Sequence, residues 1–191
     1  DDNTAFGESA LATNAESDNN TAIGSSALTV NLSGSGNTAV GKSSLAANTT
    51  GTGNVAIGLN ALDANTTADL NTAVGTSALS ANVDGTANVA VGANTLAVNT
   101  ASNNTAVGMS ALTANVAGAT NTAVGSLALT ANTGGSKNTA VGKSAGAANT
   151  TGDDNTAFGE SALATNAESD NNTAIGSSAL TVNLSGSGNT A

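Results

Sequence analysis

The chain has 191 residues, with thirteen acidic side chains against three lysines (Lys42, Lys137, Lys143), and no arginine, histidine, cysteine, tryptophan or tyrosine. An acidic, arginine-free surface repels phosphate backbones, and two phenylalanines give bases or sugar rings almost nothing to stack on, which argues against nucleic acid as a partner. Without cysteine there is no disulfide framework and no thiolate nucleophile, and no apolar run approaches the roughly 20 residues of a membrane helix.

Taken in order, the chain says one thing repeatedly. Asn3-Thr4-Ala5-Phe6-Gly7 returns in close copies at Asn20, Asn37, Asn54, Asn71, Asn88, Asn104, Asn121, Asn138, Asn155 and Asn172, with a truncated copy at Asn189. The spacing is 17 residues throughout, except for 16 between Asn88 and Asn104. Residues 1–39 also recur unchanged as residues 153–191. Self-similarity at a short fixed period is the signature of a solenoid, which grows in one dimension and has no fixed size. The whole of 1–191 therefore reads as one continuous solenoid segment of eleven complete units, a window in a longer repetitive protein. Low charge and abundant Ala, Gly, Ser, Thr and Asn also suit a disordered tract, but apolar residues that keep fixed places in every unit speak against disorder.

Numbered from its first Asn, each unit begins with five residues that alternate like a strand. Position 4 is always bulky and apolar (Phe6, Ile23, Val40, Ile57, Val74, Val91 and their equivalents), and β-branched residues dominate it, so this position is expected to face the core. Position 2 is Thr except at Val55 and Val89, and is expected at or near the core with its hydroxyl bonded locally. Position 3 is Ala in every copy (Ala22, Ala39, Ala56, Ala73), which suggests the close approach of a neighbouring chain and so a chain interface. Position 5 is always Gly (Gly24, Gly41, Gly58, Gly75), as a turn needing positive φ or no Cβ requires.

A second short strand is expected over positions 7–11, pointing Leu28, Leu45, Leu62 and Leu79 inward from position 9. Gly146 alone interrupts that leucine row and predicts a thin spot in the core. Position 12 is again Asn (Asn31, Asn48, Asn65, Asn82), a residue suited to a corner with left-handed backbone and able to form a ladder when stacked. The five-residue tail holds most of the variation and charge (Glu16, Asp18, Asp69, Asp84) together with the single deletion, as an outer loop would. A helix is excluded by Gly, Asn, Thr and Val at places it would reject.

Asn54-Val55-Ala56-Ile57-Gly58 and Asn88-Val89-Ala90-Val91-Gly92 resemble the head repeats of trimeric autotransporter adhesins, and Asn37 to Gly53 and Asn138 to Gly152 resemble the repeats of phage tail-fibre-like and bacterial surface proteins. The resemblance covers the whole chain. It implies an all-β, parallel solenoid of the left-handed β-roll type, three chains side by side, on a cell surface, outside the cell or in a virion tail fibre. The unit here is longer than the usual adhesin-head unit.

Catalysis needs positioned groups of tuned proton affinity, and no serine here has a plausible base beside it, so no enzyme and no cofactor is expected. Calcium-binding solenoids repeat a glycine- and aspartate-rich nonapeptide that is absent, and Asp1-Asp2, Asp153-Asp154 and Glu16/Asp18 read as solvated loop charge. The expected function is that of a structural subunit of a long extracellular fibre, an adhesin head, shaft or matrix filament that assembles with copies of itself. A receptor-binding module with specificity in the tails is the alternative, its partner a host or surface receptor. The threonine row at position 2 adds a third, an ice-binding solenoid.

Overall fold

The computed structural model describes residues 2–191; Asp1 lies outside the described residues. The chain forms a parallel β-solenoid, one coil per unit. Three-residue strands carry its main sheet: β1 (Thr4–Phe6), β3 (Thr21–Ile23), β5 (Thr38–Val40), β6 (Val55–Ile57), β7 (Thr72–Val74) and β8 (Val89–Val91). The same sheet continues through β9 (Thr105–Val107), β10 (Thr122–Val124), β11 (Thr139–Val141), β12 (Thr156–Phe158) and β13 (Thr173–Ile175). All eleven pair in parallel in this order, like position over like position: Thr38 on Val55, Ala39 on Ala56, Val40 on Ile57. Two short pieces, β2 (Thr13–Asn14) and β4 (Val30–Asn31), pair on the other side of the first two coils.

The strands are short because Gly ends each one. Gly58 has φ of 135°, and a Cβ built on it would lie 2.6 Å from the carbonyl oxygen of Gly75 in the next coil. Both expected reasons for glycine therefore hold at this site: the backbone is one that L side chains rarely adopt, and the stacked neighbour leaves no room. The following residues do not form the expected second strand, apart from position 11 in the first two coils, where β2 and β4 begin. Over positions 7–11 the chain turns, with left-handed backbone at position 7 (Ser43, φ 56°; Asn60, φ 54°) and position 9 (Leu45, φ 50°; Leu62, φ 51°). Two left-handed residues so close together curl the backbone instead of extending it. Leucine in this region is strained, and its burial offsets the strain.

Rung-to-rung hydrogen bonding continues around the coil. Thr38 N donates to Asn54 O and Gly58 N to Val40 O on the strand side, both at 2.8 Å, while Leu62 N donates to Ala78 O at 3.0 Å on the other. Interior backbone polar groups are thus satisfied by neighbouring coils, as a stack of such thin layers requires.

The core sits between the two sides and differs from expectation. Its strand side is lined by the alanines of position 3: Ala22, Ala39, Ala56 and Ala73 are wholly buried within a single chain. Position 4 points away from it. Phe6, Ile23, Ile57 and Val91 are exposed and Val40 and Val74 half-buried, so the expectation that this row forms the core is corrected. The expectation that Ala22, Ala39, Ala56 and Ala73 form a chain interface is corrected with it, since they are spent inside the coil. The physical reason is width: a coil this thin has room for one layer of leucine and asparagine facing a layer of methyl groups, and valine side chains from the strand would overfill it. Leu28, Leu45, Leu62 and Leu79 supply the larger apolar volume, each fully buried.

Asparagine fills the rest. Position 12 is buried but is not left-handed, so its role is the ladder and not the backbone bend. Asn48 Nδ2 donates to Asn31 Oδ1 (3.0 Å) and to Gly51 O (3.0 Å), and Asn65 Nδ2 to Asn48 Oδ1 (2.9 Å) and Ala68 O (3.1 Å). The first Asn of the unit makes a second ladder: Asn37 Nδ2 donates to Gly51 O (2.8 Å), and its Oδ1 accepts from Asn54 N (2.9 Å). Buried amides bonded in this way satisfy both ends of the side chain.

Candidate functional site

With alanine inside, positions 2 and 4 of each strand form the outer face of the eleven-stranded sheet. In-register parallel pairing stacks them as two straight rows, one of Thr with two Val and one of Val, Ile or Phe. Successive strands sit about 4.8 Å apart, so eleven rungs span roughly 50 Å, and the two rows lie about 7 Å apart across the strand. No strand carries a charged side chain on this face. The methyl-bearing groups are accessible: Ile57 is 40% exposed, Val91 and Val107 37%, and Phe158 55%.

The threonines of this face differ from several on the far side of the coil. Thr49 and Thr150, on the far side of the coil, each donate their hydroxyl to a carbonyl of the next rung at 2.9 Å. The hydroxyls of Thr21, Thr38, Thr72, Thr105, Thr122 and Thr139 make no hydrogen bond among the described residues, so the expected local bonding at position 2 is replaced by a row of hydroxyls on the outer face. Sequence reasoning identified the row but placed it on the wrong side of the sheet.

Several of the remaining polar features are committed to the fold. Asp69 Oδ1 accepts from Thr52 N (2.7 Å) and Thr52 Oγ1 (3.0 Å), and Asp153 Oδ1 accepts from Ser136 N (2.6 Å), so these tail carboxylates tie one coil to the next. Among the described residues no group of three metal-ligating side chains converges. Asp63 stands at position 10, where the other units carry Ala, Ser or Thr; its Oδ1 is buried without a partner, and burial raises its carboxyl above the ordinary value of 3.8. Gly146 opens a small apolar cavity lined by Leu129, Ala140, Ala157 and Leu163, the thin spot expected from the missing leucine. The single deletion also has an interior consequence. In the 16-residue unit Asn99 Nδ2 donates to Ala101 O at 2.7 Å, and Asn82 Oδ1 on the rung before is buried with no partner.

No family model, no curated protein and no solved structure matches the chain.

Proposed function

We propose that this chain is a rod segment of an extracellular fibre, stiff along its axis and one chain thick. One observation carries the reading. Each coil closes its own core and bonds around its circumference to the coils on either side, through both asparagine ladders and the backbone. A structure held together mainly by identical contacts between nearest neighbours resists bending and extends by adding coils. The resemblance to adhesin heads and tail fibres supports a place outside the cell, and the cysteine-free composition suits that place. It also implies three chains side by side. The alanine row on which such an interface would rest is interior, so a single chain per rod is the form that we propose.

A receptor-binding module would concentrate its specificity in the tails, yet several tail carboxylates are engaged with the neighbouring rung. Neither a cofactor nor a catalytic step belongs to the reading. Mass per unit length, measured on purified particles by scanning transmission electron microscopy, tests it. One coil of about 17 residues per rise of about 4.8 Å is expected. A threefold larger value would overturn the one-chain rod and restore the trimer, and compact particles would overturn the rod itself.

A further inference from the structure

A rod needs no uncharged, two-row outer face, and this chain has one on all eleven strands. We infer that the face formed by positions 2 and 4 binds ice. Its backbone repeats with the strands, its hydroxyl row is broken only at Val55 and Val89, and a surface so nearly periodic complements a ligand that is itself periodic. Mineral lattices call for charge, of which the strands have none. Crystalline polysaccharide calls for aromatic platforms, and the only aromatics are Phe6 on β1 and Phe158 on β12; from β3 to β11 the outer row is Val or Ile throughout. What remains are methyl groups in file beside hydroxyls in file. The hydroxyls of Thr38, Thr72, Thr105, Thr122 and Thr139 have no partner among the described residues and are free to anchor water, while the intervening methyl groups order the water between them.

Two further observations bear on the occupant. The 16-residue unit disturbs an interior ladder but leaves the face intact, for Val89 pairs with Thr105 and Val91 with Val107 in register. A second copy of this chain is the competing occupant, and the narrowness of the face disfavours it: two rows about 7 Å apart make a strip only two side chains wide at every coil. The inference rests on the proposed rod only in that a one-chain rod leaves this face open.

The test grows ice slowly from a dilute solution of the chain and compares the protein in the ice with that left in the liquid. The unaltered chain is expected to enter the ice and to shape single crystals. Thr72→Tyr and Thr105→Tyr, whose rings stand up from the middle of the face, should be excluded from the ice as thoroughly as an unrelated soluble protein. Ala81→Tyr, on an exposed site on the other side of the coil, should enter like the unaltered chain. Thr72→Ser controls for misfolding, retaining the hydroxyl and part of the uptake. Exclusion of the unaltered chain would overturn the inference, and so would equal uptake of all the tyrosine variants. A three-chain mass per unit length would instead strike the one-chain rod, so the two failures are distinguishable.

Discussion

At the scale of single residues, the glycine that closes each strand tolerates least. Gly58→Val would force a β-branched residue to φ of 135° and drive its Cβ against the carbonyl of Gly75. A loss of about 3 kcal/mol or more follows from the strained backbone and the displaced rung. Asp69→Ala removes two hydrogen bonds from an exposed tail and should cost only about 1 kcal/mol. Denaturant titration of the two variants checks the order, and equal midpoints would contradict it. Asp63 gives a pH dependence. Its folded pKa is raised, so the folded chain holds this proton more tightly than the unfolded chain does. The resulting stabilisation is complete below the unfolded value near 3.8 and is lost as pH rises through the higher folded value. Asp63→Asn should therefore melt above the unaltered chain at neutral pH, with the gap closing as the pH falls below that range.

At the scale of the coil, two elements depart from the common pattern and each should be repairable. Gly146 already has the left-handed backbone of the leucines it replaces, at φ of 58° against 48° for Leu129. A Cβ there would crowd only the movable end of Leu129, at 3.0 Å, and would meet the Ala140 Cβ at an ordinary 3.9 Å. Gly146→Leu should restore the row and stabilise by roughly 1–3 kcal/mol through apolar burial. A Thr inserted after Thr100 would return the short unit to 17 residues and let Asn99 reach the stranded Asn82 Oδ1. Thermal melts of both variants should rise above that of the parent. Leu62 and its equivalents were legible at this scale because one and the same large apolar residue holds that place in ten of the eleven units. The sense of the strand was not. Alternation separates two faces without saying which one is inside, and β-branched apolar residues at position 4 pointed the wrong way. The sign that could have decided it is size. Position 4 ranges from Val to Phe, whereas Ala at position 3 never changes, and in a stack of like coils the tightly packed row is the one that cannot vary in volume. The turn over positions 7–11 was hidden for a different reason: left-handed backbone at Leu45 and Leu62 runs against local preference and is imposed by the stack.

At the scale of the molecule, the architecture was plain in the sequence because the period itself dictates it: one coil per unit, parallel and in register, with variation and the single deletion outside the sheet. The face left outward by that architecture bears on both proposals, the number of chains in the proposed rod and the ice that it is inferred to bind. A chain without cysteine makes the face directly measurable. Ala73→Cys and Val74→Cys introduce thiols on adjacent residues with opposite directions, and their rates of alkylation in the folded protein can be compared under one set of conditions. A fast-reacting Cys at position 74 and a protected one at position 73 is the predicted result. Protection at both sites would mean that another chain covers the face, and the reverse order would mean that the strand is turned the other way.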